Sequence, residues 1–186
     1  GLPLVTALPN AVVGANDHAI FGYLLRLQML GGASPVAFGG DSVMAWVDVD
    51  ALAEGLCRAG ERAPAGADYL FCGERAENRA VFARWTQLTG RHGMSVYLPR
   101  GLMRPQMALA EPLLRAFGLP AFLSREAVDT TRCHLDYSSA KAQRELGWVH
   151  PTFDALWPPI VEAEQRLMAQ RQGFVNKLRH QAVVDD

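Results

Sequence analysis

Tyr137 and Lys141 stand four residues apart, and Ser124 lies thirteen residues before the tyrosine. Residues four apart on a helix share a face, so an ammonium at 141 can sit beside a phenol at 137. A neighbouring cation favours the phenolate and lowers its pKa, so the phenol could trade a proton with an alcohol or a carbonyl near neutral pH. The same stretch has a plainer reading. Ser138-Ser139 caps a short amphipathic helix from Ser138 to Leu146, Gly147 ends it, and Trp148 and Pro151 follow. Tyr137 then packs at the helix start and Lys141 is solvated. Tyrosine and lysine at this spacing near a serine recur by chance, and the helix runs into Gly147 and Pro151 rather than a core strand, so the plainer reading is preferred.

Other chemistries find less support. The five histidines (His18, His92, His134, His150, His180) show no i, i+4 or cysteine-paired spacing, which argues against a metal site. No G-x-S-x-G elbow marks a hydrolase, and no carboxylate pair stands out. Arg100 and Arg104 flank Met103 as a solvated helix face, with anion binding the sharper alternative. The net charge of −1 without a basic block does not suggest nucleic acid or an anionic membrane as partner. Cys57, Cys72 and Cys133 form no C-x-x-C pair and read as reduced thiols of a cytoplasmic protein. No apolar run reaches membrane-spanning length, and no signal peptide opens the chain. Gly1-Leu2-Pro3-Leu4-Val5 begins on an apolar run without an initiator methionine, as a chain cut inside a domain would.

The elements that must position these residues alternate between strand and helix. Leu2–Leu8 reads as a buried strand closed by Pro9-Asn10. Asp17 can cap a helix from His18 to Leu30, ended by Gly31-Gly32. Strands are expected at Pro35–Phe38, Met44–Val49, Tyr69–Cys72 and Val96–Pro99. Helices are expected at Ala51–Arg62, at Arg75–Thr89 with Val81, Phe82, Trp85 and Leu88 on one face, at Leu102–Phe117, briefly from Ser124, and from Phe153 to about Gln172. Residues 1–172 make one body, and 173–186 a frayed tail. The expected class is α/β: C-terminal strands of a doubly wound sheet plus a small, mostly helical lobe.

Four segments, in order, carry a resemblance. They are Leu8-Pro9-Asn10-Ala11-Val12-Val13-Gly14-Ala15-Asn16-Asp17, Trp46-Val47-Asp48-Val49-Asp50-Ala51-Leu52-Ala53-Glu54-Gly55, Ala65-Gly66-Ala67-Asp68-Tyr69-Leu70-Phe71-Cys72-Gly73-Glu74, and Lys141-Ala142-Gln143-Arg144-Glu145-Leu146-Gly147-Trp148. The ordered set, from residue 8 to 148, resembles the C-terminal half of an extended short-chain dehydrogenase/reductase of the NAD-dependent epimerase/dehydratase and dihydroflavonol-reductase-like group. The chain departs from that pattern at Leu8 (commonly Arg), Val13 (commonly aromatic), Ala15 (commonly Pro) and Ala51 (commonly Asp), which leaves Asp50 as the expected helix cap.

The resemblance implies a Rossmann-type sheet and an NAD or NADP cofactor in the intact enzyme. It implies a sugar nucleotide or another small hydroxyl or carbonyl compound as substrate. The glycine-rich phosphate loop and the true Tyr-x-x-x-Lys helix belong to an N-terminal half that would precede Pro9, so no catalytic residue is expected in this chain. By the resemblance, Pro9, Asn10, Ala11 and Val12 approach the nicotinamide, and Asn16, His18, Tyr23 and Trp46 line the substrate cleft. A homodimer is compatible with it. Two other readings stand beside it: a non-catalytic module binding through its exposed first strand, and a complete divergent reductase using Ser124, Tyr137 and Lys141.

Overall fold

The computed structural model describes residues 3–98 and 137–184. Ser124 and the helix it opens, the helix expected at 102–117, the Arg100/Arg104 pair and Cys133-His134 lie outside them. The strand expected over residues 2–8 is shorter and largely exposed, and a second strand follows it beyond Asn10. β1 (Thr6–Pro9) lies parallel to β5 (Asp68–Phe71), with Thr6 opposite Asp68 and Pro9 opposite Phe71. One residue later β2 (Ala11–Val13) lies parallel to β4 (Val43–Asp48), with Ala11 opposite Trp46. The change of partner falls where Pro9 has no N–H to give a ladder. Asn10 bridges the gap: its N–H donates to the Phe71 carbonyl at 3.3 Å, and its Oδ1 accepts from Ala11 N at 2.9 Å.

From β4 the chain crosses through α2 (Val49–Arg62) to β5, the helical connection that parallel strands require. α2 buries Leu52, Gly55 and Ala59, one side of the helix, against Val47, Tyr69 and Phe71. α4 (Ala140–Leu146) adds Ala142 and Leu146 to this cluster, and Trp148 completes it. Gly55 is small because a Cβ there would lie 2.5 Å from Phe71 Cε1 and 2.8 Å from Trp148 Cδ1.

A second cluster joins α1 (Ile20–Met29), α3 (Asn78–Thr89) and α5 (Phe153–Val184) to the β2–β4 face. Trp46 sits at its centre, edge-on to Phe21 at 4.5 Å and to Trp157 at 5.5 Å, with Trp85 beyond at 5.4 Å from Trp157. Pro158 and Pro159 fall inside α5. Pro158 cannot donate back to the Asp154 carbonyl. That oxygen accepts instead from Arg84 Nη2 at 3.3 Å. A pair of parallel strands, β3 (Val36–Phe38) with β7 (Val96–Leu98), lies apart from the other ladders. Mixed parallel strands and helices in open sheets make this an α/β fold.

Three expectations change. The cap of α2 is Asp48, not Asp50: its Oδ2 accepts from Asp50 N at 3.1 Å and Ala51 N at 3.0 Å. A cap needs extended backbone, which Asp48 has, whereas Asp50 is already one of the helix's orphan donors. Asp48→Ala is expected to lower stability by about 0.5–2 kcal/mol, read as a shift in the urea midpoint. The helix expected from Arg75 opens only at Asn78, because Glu74–Glu77 is taken as β6, antiparallel to β4. Local helix preference loses there to a ladder that the sequence does not display. The last helix keeps its turn to Val184, past residue 172 where the sequence places its end.

Candidate functional site

Ligands of open α/β sheets bind beyond the carboxyl ends of parallel strands. In this chain those ends are Pro9-Asn10 after β1 and Cys72-Gly73 after β5. Pro9 and Val12 are exposed, and Asn10 and Ala11 are half-buried. Asn10 Nδ2 is shielded from solvent and has no hydrogen-bond partner. Beside it, burial pushes the Cys72 thiol above its ordinary pKa, and the Asn10 side chain partly opposes the rise. A thiol held protonated is a poor nucleophile, so Cys72 acts here as a small packing group. Gly73 is obligatory: a Cβ would run into the Trp46 carbonyl oxygen.

The loop between β2 and α1 is fastened more firmly than its sequence suggests. Asn16 has φ 58°, the left-handed region that asparagine tolerates better than most residues. Its backbone N–H donates to Glu164 Oε1, and its Oδ1 accepts from Arg171 Nη2 at 3.2 Å. Glu164 is only 1% exposed, and Arg26 Nη1 lies 3.2 Å from both of its oxygens. Arg26 Nη2 also donates to the Asp17 carbonyl. The Asp17 carboxylate accepts from Ala19 N at 2.7 Å and Gly22 N at 3.1 Å, but from outside the cap position: the helix opens at Ile20, two residues later than the sequence places it, and its N-cap is Ala19. Two helices distant in sequence thus hold residues 16–17.

Neither Glu164 nor Arg26 stood out as a site residue in the sequence. A signal existed: Glu164 follows Trp157, Ile160 and Val161 at core-facing positions, and Arg26 adjoins buried Leu25. A charge on an apolar face demands a partner, but the chain alone does not name one 138 residues away.

The other candidates fall in different places. His18 and Tyr23 are exposed beside the fastened loop. Trp46 is 1% exposed and belongs to the core cluster, so it supports Phe21 and offers no surface to a ligand in this chain. Ser124 lies outside the described residues. Tyr137 is exposed. Lys141 Nζ donates to the Asp68 carbonyl at 3.0 Å and stands 4.8 Å over the Tyr69 ring. Asp68 is the amino end of β5, the end away from Pro9-Asn10. The lysine therefore ties α4 to the sheet. Tyr69 donates its hydroxyl to Glu145 on the same helix at 3.1 Å, and its burial and that carboxylate push the phenol's pKa up. Lys141→Ala is expected to change stability by no more than about 0.5 kcal/mol, measured by urea unfolding. Among the described residues no group of three histidine, cysteine or acidic side chains could hold a metal ion, and no helix is long and apolar enough to cross a membrane.

No protein-family model matches the chain, and no curated protein matches it. Solved structures do. The chain is similar to a nucleoside-diphosphate-sugar epimerase from Pseudomonas aeruginosa, with a TM-score of 0.69 and 21% identity over 89% of this chain and 49% of that one. It is similar to the Bordetella bronchiseptica enzyme WbmF in complex with NAD+ and UDP, with a TM-score of 0.67 and 16% identity over 95% of this chain and 50% of that one. It is also similar to a UDP-glucuronic acid 4-epimerase from Bacillus cereus in complex with a fluorinated UDP-sugar and NAD, with a TM-score of 0.61 and 14% identity over 89% and 46%. The chain has the fold of part of these proteins and spans about half their length, as the sequence resemblance implies.

Proposed function

We propose that this chain is the substrate-side half of an NAD(P)-dependent oxidoreductase, epimerase or dehydratase acting on a sugar nucleotide or another small hydroxyl or carbonyl compound. The observation that carries the reading is β1. It is a parallel strand whose inner residue Ala7, with Val5 just before it, packs on the α2–α4 cluster. On its other face Leu8 is 49% exposed beside exposed Thr6, Leu4 just before the strand is 68% exposed, and β1 has no strand partner but β5 among the described residues. A parallel strand that leaves leucines exposed on its second face fits the interior of a sheet covered on both sides. The uncovered face and free edge fit an N-terminal half bearing the phosphate loop and the catalytic tyrosine and lysine. The relatives' additional length supports the same reading.

On this reading the backbone of Pro9–Val12 faces the nicotinamide, and the unpaired donor of Asn10 suits an amide-bearing neighbour. Asn16, His18 and Tyr23 wall the substrate side. The nicotinamide supplies the hydride acceptor and donor, and this chain's residues orient the two reactants. The enzyme would work in the cytoplasm, and a homodimer fits the class.

The test takes the protein with its natural amino terminus, defined by intact mass, and titrates NAD(H), NADP(H) and UDP. The full protein is expected to bind cofactor and UDP, and the 186 residues alone little or none. Tight cofactor binding by a chain that truly begins at Gly1 overturns this and makes Tyr137 and Lys141 the residues to mutate. A chain that pairs with itself through Leu4 and Leu8 and takes no nucleotide is a binding module instead.

A further inference from the structure

We infer that Glu164 is a positioning residue for the substrate wall: from α5 it sets the place of the Asn16–His18 loop, so that the C-terminal helix governs substrate affinity. This rests on the proposed function, which assigns that loop to the substrate side. Three observations carry it. The Glu164 carboxylate is buried yet spends one oxygen on a loop N–H, that of Asn16, besides its ion pair with Arg26. The residue it holds is the one non-glycine residue with positive φ among the described residues, so the contact fixes the loop at its turning point. Arg171, two turns further along α5, holds the same residue through its side chain. A carboxylate needed only to neutralise Arg26 would require neither contact. Arg26 also reaches the Asp17 carbonyl, so the helix, the loop and α1 move as one piece.

The consequence is a split between ligands. The cofactor backbone at Pro9–Val12 takes its ladder hydrogen bonds from β5 and β4 and none from Glu164 or Arg171, and its packing on α5 runs through Trp157 and its apolar neighbours instead. Loosening Glu164 should therefore weaken substrate binding and spare the cofactor. A misplacement of about 1 Å in a positioning element can cost on the order of a hundredfold, so a loss of ~10- to 100-fold in UDP-sugar affinity is expected.

The experiment uses the full protein with its natural amino terminus, well below its melting temperature. Glu164→Ala, Glu164→Gln and Arg171→Ala are compared by hydrogen exchange of residues 14–18 and by titration of UDP-glucose and NAD. Arg171 is exposed, so its variant tests the loop even where Glu164→Ala does not fold. Expected are faster exchange of the loop and weaker UDP-glucose binding in Glu164→Ala, a smaller loss in Arg171→Ala, partial recovery in Glu164→Gln, and unchanged NAD affinity in all. Unchanged loop exchange in both Glu164→Gln and Arg171→Ala overturns the inference. So does a loosened loop with UDP-glucose affinity intact, or an equal loss for NAD. An unaltered protein that binds NAD but no UDP-sugar in the first place overturns the substrate assignment, and the inference falls with it. That result is distinguishable because it needs no variant.

Discussion

Arg26→Ala is expected to destabilise the protein by about 3–5 kcal/mol, because it strands a carboxylate that water cannot reach. Glu164 is 1% exposed, and its side chain sits 3.2 Å from the guanidinium at both oxygens. Removing the cation leaves one loop N–H as its remaining partner, together with the full cost of desolvation. The change also releases the Asp17 carbonyl, so the start of α1 loosens with it. Urea unfolding should show the midpoint falling by roughly 1.5–2.5 M with little change in slope. Replacing both partners by apolar residues of similar volume, Arg26→Met with Glu164→Leu, is expected to recover much of the loss, because no buried charge is then left alone. Equal midpoints for Arg26→Ala and its parent would mean that the carboxylate is hydrated or protonated and that the pair does not organise this region.

Trp148→Ala should cost a similar amount, about 3–5 kcal/mol, for a different reason. The indole is 1% exposed, edge-on to Phe71 at 5.2 Å, and its Nε1 donates to the Ala51 carbonyl in the first turn of α2 at 2.7 Å. It closes the cluster between α2, α4 and β5, and Gly55 is kept small to admit it. Alanine leaves a large cavity with rigid walls on the sheet side and removes the second hydrogen bond of the Ala51 carbonyl, which its own helix already pairs. Trp148→Phe should recover most of the packing and miss only the hydrogen bond, leaving a deficit of about 1 kcal/mol. Near-ultraviolet circular dichroism and urea midpoints on the three proteins check both figures. A Trp148→Ala protein as stable as its parent would mean that α4 is not docked on α2 as described.

Both predictions join segments far apart in the chain, and they mark where sequence reading succeeds and stops. The elements were legible wherever a local cause makes them: a short apolar run and a following glycine place β5, and the 3.6-residue pattern with Gly90 places most of α3. The end of α4 at Gly147, with φ 62°, was legible because a left-handed C-cap is written in one residue, whereas its start falls at Ala140, two residues after the expected Ser138. The order of the four segments was enough to imply the α/β fold and its likeness to half of a larger enzyme. By itself, then, the sequence determined the succession of strands and helices, the turn residues that close them, and the class of the fold. These follow from interactions among neighbours along the chain.

The tertiary structure decided the rest. It took Glu74–Glu77 from the helix because the open edge of β4 offered a ladder worth more than local preference. It turned Trp46 from a possible cleft wall into core by placing Trp157, 111 residues on, against it. It gave Lys141 the Asp68 carbonyl and the Tyr69 ring, and so separated its amine from the carboxyl ends of the strands where a ligand would bind. It paired Arg26 with Glu164 and aimed both at the Asn16 loop. Each of these depends on which surfaces meet when the chain closes on itself, and periodicity within a segment carries no record of its partner.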